Sequence, residues 1–284
     1  MTDAPFLSRQ EGFARVPSTN DVVRDWLASG TAEVCLAVAE EQTAGRGREG
    51  RPWAAPAGRA LLASLGFRPT WLSPEHAWRL AAIVSLAMAD AAEEVAGLRD
   101  GTIRLKWPND LVVETGGAEG VDVRAASIDG SAQAADVRKV AGVLGETIGL
   151  GTDDPRVIIG IGVNADWPRE EFPPEFAATM TSLREASGGR PVDAAILLDA
   201  FLARLEPRTI ALRDGRFDAA GWLARQLTNG RFVRLDGPAG RSEVVRAVGV
   251  DAGTGALLVE DGAAPRGERA VFSGEIRHLR LAGV

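Results

Sequence analysis

The most informative stretch of the sequence is residues 42–53, which read Gln-Thr-Ala-Gly-Arg-Gly-Arg-Glu-Gly-Arg-Pro-Trp. Its glycines alternate with arginines, so backbone N–H groups can approach an anion closely while guanidinium groups supply the opposite charge. An apolar run, residues 32–39, precedes it and has the composition of a strand buried on both faces. A glycine-rich segment that leaves a buried strand and ends in a tryptophan favours a phosphate-binding lid over a linker.

Two other interpretations of this stretch are open. Gly45, Gly47 and Gly50 match the G-x-G-x-x-G spacing of dinucleotide-binding loops, but that motif requires a helix to begin at once. Pro52 followed by Trp53 argues against such a helix. The stretch could also be a solvated surface loop with incidental arginines, which is the default for a glycine-rich segment.

Composition limits the class of protein. The chain has 284 residues, enough for about two domains, and its 45% hydrophobic content is ample for a core. Its 32 basic and 39 acidic residues give a net charge of −7, unlike a dedicated nucleic-acid-binding protein. A single cysteine excludes an intramolecular disulfide and suits a reducing compartment. Without a secretory signal or an apolar span near the ~20 residues that cross a bilayer, we expect a cytoplasmic protein with no membrane partner.

Apolar periodicity predicts α and β elements that alternate along most of the chain. Strands are expected at residues 32–39, 60–67, 102–106, 111–113 and 157–163, and helices from 19 to 30, 73 to 98, 193 to 212 (kinked or divided at Pro207) and 217 to 226. Beyond residue 228, short strands around Phe232, Val244, Leu257 and Val271 are separated by glycine-rich turns. We therefore predict an α/β (α+β) domain over residues 1–227 and a small β-barrel over residues 228–284.

Four short motifs accompany the glycine-rich stretch. They are Ser18-Thr19-Asn20, Lys106-Trp107-Pro108-Asn109-Asp110, Lys139-Val140-Ala141-Gly142-Val143-Leu144 and Gly160-Ile161-Gly162-Val163-Asn164. Each has a local structural explanation: helix capping for the first, a polar turn between strands for the second, and close backbone approach for the glycines. Cys35 lies within the first apolar run and is expected to be a core residue.

The ordered set of motifs resembles the biotin–protein ligases, in a form without an N-terminal DNA-binding domain, from about residue 16 onward. The resemblance implies a mixed-sheet catalytic domain like that of class II aminoacyl-tRNA synthetases, followed by an SH3-like β-barrel. It also implies an ATP-dependent ligase that forms biotinyl-5′-AMP and transfers biotin to a lysine of the biotin carboxyl carrier domain of acetyl-CoA carboxylase or a related carboxylase. ATP and biotin are then substrates, Mg²⁺ is the implied cofactor, and a homodimer is compatible with the resemblance.

The resemblance carries roles over to individual residues. It assigns biotin binding to Ser18, Thr19, Asn20, Gln42, Arg46, Gly47, Arg48, Lys139 and Gly142. It assigns nucleotide binding to Arg46, Arg48, Arg51, Trp53, Lys106, Asn109 and Asn164. The implied catalytic residues are Arg48, Lys139, Lys106 and Asp110, of which Arg48 and Lys139 would face the biotin carboxylate and the α-phosphate. No residue is assigned to a metal ion, and no protein nucleophile is needed.

The chain departs from the family pattern at two places. Residues 115–138 separate motifs that a much shorter hairpin joins in the family, and their Gly, Ala, Ser and Asp content predicts a loosely ordered insertion. The insertion leaves the strand register at Lys139 to be fixed by the apolar residues 140–144. Gly145 stands where the family more often has a larger apolar residue.

Three other functions are open. A lipoate or octanoate–protein ligase would share the fold, although the arginine–glycine pattern favours biotin. A biotin-responsive repressor would need a DNA-binding domain, and the 17 residues before Ser18 are too few for a helix-turn-helix, so no specific nucleic acid is expected as a partner. A non-catalytic biotin-binding or regulatory protein would lack pyrophosphate exchange.

Overall fold

The fold was analysed in a computed structural model, which describes residues 5–115, 136–236, 242–272 and 280–281. Most of the insertion expected at residues 115–138 lies outside the described residues. Within the described part of the chain, no helix is both long and apolar enough to span a membrane.

A seven-stranded mixed sheet forms the centre of the fold. Its strands, in chain order, are β1 (Arg9–Val16), β2 (Cys35–Gln42), β3 (Ala60–Phe67), β4 (Ile103–Lys106), β5 (Asp110–Thr115), β6 (Asp136–Ile148) and β7 (Arg156–Asn164). They lie side by side in the order β1-β2-β3-β7-β6-β5-β4. Only β1 and β2 run parallel, and the other neighbours are antiparallel. The mixed α/β architecture expected from the sequence is confirmed.

The described residues form five α-helices: α1 (Thr19–Ala28), α2 (Trp78–Ala96), α3 (Leu183–Ala186), α4 (Ala194–Arg213) and α5 (Ala219–Ala224). The helix expected from Ser73 begins with a 3-10 turn, Pro74–His76, before α2. It ends at Gly97, whose φ of 64° is the left-handed conformation that glycine adopts most readily. Pro207 does not divide α4, which continues through it to Arg213.

The two faces of the central sheet carry side chains of different size. On β7, Val157, Ile159 and Ile161 point into the core beneath α2 and α4. Gly160 and Gly162 alternate with them on the opposite face. Helix α1 covers only part of that second face, through contacts around Ile158. Next to α1, the glycines leave the strand backbone without side chains, and we call this surface the glycine floor.

A second sheet contains β8 (Phe232–Asp236), β9 (Ser242–Val250), β10 (Leu257–Glu260), β11 (Glu268–Val271) and β12 (Arg280–Leu281). Its order is β11-β10-β9-β8-β12, with antiparallel neighbours. The strands expected around Phe232, Val244, Leu257 and Val271 are therefore confirmed. The buried side chains of this sheet belong to the same cluster as those beneath α2, and Trp107 donates through Nε1 to Gly255 O at 2.8 Å. The core is thus continuous across residue 228, where the sequence predicted a domain boundary.

Sequence patterning missed one strand. Residues 9–16 read Arg-Gln-Glu-Gly-Phe-Ala-Arg-Val and show no regular apolar alternation, yet they form β1 at the edge of the central sheet. Strand β1 lies at the edge of the sheet and is held there by backbone hydrogen bonds to β2. Its side chains therefore need no apolar alternation, and the sequence pattern does not reveal the strand. Cys35 is a core residue, as expected, and burial raises the pKa of its thiol to about 11.

A buried carboxylate joins α2 to two other elements. Glu93 is 1% exposed and accepts the Ile103 N–H at 2.7 Å. Both of its carboxylate oxygens also accept from Arg225, at 2.8 and 2.9 Å. These hydrogen bonds tie the last turns of α2 to β4 and to the end of α5.

We expect Glu93→Ala to lower the free energy of unfolding by about 3–5 kcal/mol, because it leaves the buried Ile103 N–H without its acceptor and leaves the Arg225 guanidinium with only Asp90 as a carboxylate partner. Urea denaturation measures the change. The control is Glu94→Ala, which removes an exposed ion pair with Arg204 and should cost no more than about 1 kcal/mol. Equal losses in the two variants would contradict the role of Glu93.

Candidate functional site

The bare floor of the central sheet is occupied by a tryptophan. Gly142 of β6 and Gly162 of β7 lie opposite each other in the strand register. A Cβ atom added to Gly162 would come within 2.5 Å of the Trp53 ring, and one added to Gly142 within 3.3 Å. Any larger side chain at Gly162 would therefore displace the indole, so the glycine pair sets where Trp53 can lie.

The glycine–arginine loop, residues 42–53, folds as a small hairpin over this floor. Trp53 N donates to Gly45 O at 2.9 Å and Gly47 N donates to Arg51 O at 2.7 Å. Only the single 3-10 turn Arg48–Gly50 follows the first glycines, whereas a dinucleotide-binding loop requires a full helix there. The dinucleotide-binding alternative is thereby excluded, and the backbone bonds distinguish the segment from an unstructured surface loop.

A buried cluster of polar side chains, which we call the polar pocket, lies at the start of α1. Ser18, Thr19 and Asn20 are buried, and the Ser18 side chain makes no capping hydrogen bond. The Thr19 N–H donates to Gln42 Oε1 at 2.7 Å. The Ser64 hydroxyl lies 2.6 Å from both Thr19 Oγ1 and Asn20 Oδ1. Capping alone therefore does not explain the motif, because its side chains are directed towards Gln42 and β3.

Gly160 makes room for this pocket. A Cβ atom at Gly160 would lie 2.3 Å from Asn20 Oδ1, so the Asn20 amide rests against the backbone of β7. Since Gly160 pairs with Ser64 across β3 and β7, the polar pocket and the glycine floor belong to the same face of the sheet. Sequence reasoning missed Ser64, whose hydroxyl orients two residues of the pocket.

Lys139 and Asp110 face each other beside Trp53. Lys139 Nζ lies 2.6 Å from Asp110 Oδ1 and 5.2 Å from the centre of the Trp53 ring. Asp110 Oδ1 makes no hydrogen bond of good geometry, so the contact with Lys139 is an ion pair held by charge and proximity. Lys106 is paired with Asp110 in the register of β4 and β5. Although the chain has 32 basic residues, these two are its only lysines, and both flank the same carboxylate.

The position of Lys139 is fixed from two sides. Its backbone N–H donates to Thr179 O and its carbonyl accepts from the Thr181 N–H, both at 2.8 Å. On its other side it pairs with Val112 next to a register shift in β5. The expectation that apolar residues 140–144 alone set the register is therefore incomplete, because the backbone of residues 179–181 holds this strand end as well.

Two predicted nucleotide-binding residues have structural partners. Asn109 donates through Nδ2 to Val143 O at 3.1 Å, and Asn164 donates through Nδ2 to Thr181 O at 2.9 Å. These bonds hold the turn before β5 and the end of β7. For Arg48, burial lowers the pKa of the guanidinium. A partly desolvated cation of this kind gains most from an incoming anion.

Charged residues that the sequence did not single out surround Arg46. Both of its terminal nitrogens donate to Asp21, at 2.6 and 2.9 Å, and Arg24 contacts both Asp21 and Glu146. The bond from Arg46 lowers the pKa of the Asp21 carboxyl. The sequence signal for these residues was weak. Asp21 directly follows the Ser-Thr-Asn motif, and Glu146 shares a face of β6 with Gly142.

Comparisons with known proteins agree on one family. The model of the biotin/lipoate A/B protein ligase family matches residues 12–164. The biotin–[acetyl-CoA-carboxylase] ligase of Mycobacterium tuberculosis is 32% identical over 94% of this chain and 88% of that protein. The ligase of the same name from Paracoccus denitrificans is 32% identical over 75% of this chain and 78% of that protein. The structure of biotin protein ligase from Aquifex aeolicus with biotin and ATP matches with a TM-score of 0.72 at 25% identity, covering 97% of this chain and 100% of that chain.

We expect Gly162→Ala to move Trp53 off the floor, because the new Cβ would overlap the indole. The displacement should shift tryptophan emission and increase quenching by acrylamide, and both changes should vanish in a Trp53→Phe background. Gly145→Ala is the control, since its Cβ would make an ordinary 3.5 Å contact with Ile159 on the other face. Unchanged emission and quenching in Gly162→Ala would show that the indole does not rest on this glycine.

Proposed function

The chain belongs to the biotin/lipoate A/B protein ligase family, and from this premise we propose that it is an ATP-dependent biotin–protein ligase. It forms biotinyl-5′-AMP from biotin and ATP, then transfers biotin to a lysine of a biotin carboxyl carrier domain. Two relatives that align over most of their length are named biotin–[acetyl-CoA-carboxylase] ligases, and a structural neighbour was solved with biotin and ATP.

One observation carries the proposal: a polar pocket, a bare glycine floor and a cationic group follow one another on a single face of the sheet. The pocket around Asn20 supplies hydrogen-bonding groups that suit a ureido ring. The floor at Gly142 and Gly162 carries the Trp53 indole, a flat surface that suits stacking with a ring system. Lys139 and Arg48 then supply positive charge where a carboxylate meets a phosphate.

The chemistry explains why these three parts are needed together. A carboxylate does not acylate an amine at neutral pH, so its oxygen must first gain a good leaving group. Here a carboxylate oxygen of biotin attacks the α-phosphorus of ATP, and the bond from that phosphorus to pyrophosphate breaks. Two anions must approach each other in this step, so fixed cations between them stabilise the transition state.

For biotin, we assign the ureido ring to the pocket built from Ser18, Thr19, Asn20 and Gln42. Gln42 Oε1 already accepts from Thr19, which leaves its amide nitrogen to donate to the ligand. Gly47 and Gly142 allow backbone to lie close to the biotin chain, and Lys139 with Arg48 faces the carboxylate.

For the nucleotide, we assign Trp53 to the adenine side and the cations Arg46, Arg51 and Lys106 to the phosphates. Asn109 and Asn164 act through the backbone carbonyls that they hold. Asp110 keeps Lys139 in place before ATP binds and is available to orient the acceptor lysine afterwards. Closure of the glycine–arginine loop would protect the adenylate from water.

Mg²⁺ is the cofactor we propose for the ATP phosphates. Among the described residues there is no group of three or more His, Cys, Asp or Glu side chains able to hold a metal ion. Asp110 is one carboxylate at the site that would contact an ion carried mainly by the substrate phosphates. When bound, the ion would add positive charge to the departing pyrophosphate.

The second step needs no nucleophile from this chain. The amine of the acceptor lysine attacks the carbonyl carbon of biotinyl-5′-AMP, AMP leaves, and the amine loses a proton. Cys35, the only cysteine, is fully buried and its thiol pKa is raised to about 11, so it is unsuited to covalent catalysis. The acceptor we propose is the carrier domain of acetyl-CoA carboxylase or a related carboxylase.

The proposal extends to domain organisation. We assign residues 1–227 to the catalytic domain and residues 228–284 to an SH3-like barrel built around the second sheet. The supporting features are its short antiparallel strands and turn-rich sequence. The shared core and the Trp107–Gly255 hydrogen bond would hold this domain against the turn that carries Asp110.

Biotin-dependent exchange between ATP and pyrophosphate on the purified protein tests the function. Exchange with biotin that lipoate or octanoate neither supports nor inhibits would agree with the proposal. Stronger exchange with lipoate would instead identify a lipoate–protein ligase, the other activity in the family name. Biotin binding without exchange would identify a non-catalytic biotin-binding protein.

We expect biotin and ATP together to slow tryptic cleavage after Arg46 and Arg48. Biotinyl-5′-AMP gives the loop cations a partner and should close the hairpin over the floor, so the loop opens less often. Gel electrophoresis with peptide mapping follows the rate, with biotin alone and ATP alone as references. Cleavage at the same rate with and without both ligands would argue against a closing loop.

We expect Lys139→Ala to reduce biotin-dependent adenylation by roughly 30- to 1000-fold, because a charge-assisted contact to the reacting anions is worth about 2–4 kcal/mol. Its melting temperature without ligand should change little, because the ion pair with Asp110 is partly exposed. Transfer from preformed biotinyl-5′-AMP should be less affected. Arg216→Ala, which removes another exposed ion pair, is the control. Wild-type adenylation by Lys139→Ala would contradict its assigned role.

A further inference from the structure

An ion-pair network ties the glycine–arginine loop to the rest of the site. Its members are Asp21 and Arg24 of α1, Arg46 of the loop and Glu146 of β6. Arg46 holds Asp21 through two parallel hydrogen bonds of 2.6 and 2.9 Å and lies 3.7 Å from Glu146. Arg24 contacts both acidic side chains. Two positive and two negative charges therefore balance within one connected group.

The network fixes the base of the loop hairpin. A two-bond contact between a guanidinium and a carboxylate sets orientation as well as distance. The backbone of Arg46 also pairs with Pro52 across the hairpin, directly before Trp53. When the Arg46 side chain is held against α1, the paired segment at Pro52 is held as well. That segment leads into Trp53 and so fixes the position of the indole on the glycine floor.

The same network reaches the polar pocket. Glu146 Oε1 accepts a hydrogen bond from Asn20 Nδ2 at 3.1 Å, while Asn20 Oδ1 contacts Ser64. Glu146 therefore orients the Asn20 amide and also neutralises the cations that hold the loop. One carboxylate links the two parts of the site, and Asp21 is next to Asn20 in the chain.

The charges around Arg46 bear on its role. Its charge is matched by Asp21, with Glu146 close by. A guanidinium held by carboxylates in this way is fixed in orientation. The geometry therefore gives Arg46 an anchoring role in the loop, besides its assigned contact with the phosphates.

We propose that Asp21 and Glu146 are positioning residues that latch Arg46, and with it the glycine–arginine loop, against the polar pocket. The inference rests on the proposed function for its effect on biotin, whereas the ion pairs of the latch are tested without biotin. A latched loop loses less conformational freedom when biotin binds. Weakening the latch should therefore raise KM for biotin more than it lowers kcat.

The test is Asp21→Asn, which keeps the shape of the side chain and removes its charge. In pyrophosphate exchange, KM for biotin should rise about 5- to 20-fold while kcat stays within about 3-fold. Tryptic cleavage after Arg48 in the ligand-free protein should become faster by a similar factor. Glu146→Gln should act in the same direction. The double variant should lose less than the product of the two single effects, because both act through Arg46.

Asp214→Asn is the matched control, since it removes an exposed aspartate–arginine pair with Arg216 and should leave KM and cleavage unchanged. Asp21→Glu, which restores the charge, should recover part of the loss. Wild-type KM and cleavage in Asp21→Asn would overturn the latch, as would a fall in melting temperature large enough to explain both changes. Wild-type protein without biotin-dependent exchange would overturn the proposed function, while the ligand-free cleavage still decides the latch.

Discussion

The close approach of an indole ring to the backbone of β6 and β7 is the constraint on which the site depends. Two strands can present such a surface only where both carry glycine at paired positions, and Gly142 and Gly162 meet that condition. The opposite face of the same strands is filled by valine and isoleucine under α2. A single alternation along β7 therefore builds the hydrophobic core on one side and leaves room for the Trp53 indole on the other.

Much of the fold could be predicted from the sequence because long apolar runs and periodic helices dominate it. The strands around Leu62, Ile159 and Leu257 and the helices beginning near Thr19 and Trp78 follow directly from such patterns. The edge strand β1 did not, because its stability comes from backbone pairing with β2. The continuous core across residue 228 was not predicted either. The change from a helical pattern to short strands at that residue marks a change of secondary structure, but it does not mark a break in the hydrophobic core.

The residues of the site's sequence motifs could be predicted, but the residues that hold them in place could not. Motif residues such as Asn20, Arg48 and Lys139 could be assigned because their ordered motifs resemble the biotin–protein ligases, whereas local patterns alone favour capping for Asn20. Their partners do not: Ser64 lies in an ordinary apolar strand, and Glu146 is one acid among 39 acidic residues. Such residues are recognised only when the sheet register brings them together.

The scarcity of lysine has a chemical consequence. The chain meets nearly all of its need for positive charge with arginine and keeps lysine only at positions 106 and 139. A guanidinium stays protonated and does not react with an activated acyl group, whereas a lysine amine does. An enzyme that makes a mixed anhydride therefore exposes that intermediate to few amines of its own, and the two that it keeps lie within the site, beside Asp110. The arginine-rich surface protects the catalyst from its product and leaves the amine of another protein as the favoured acceptor.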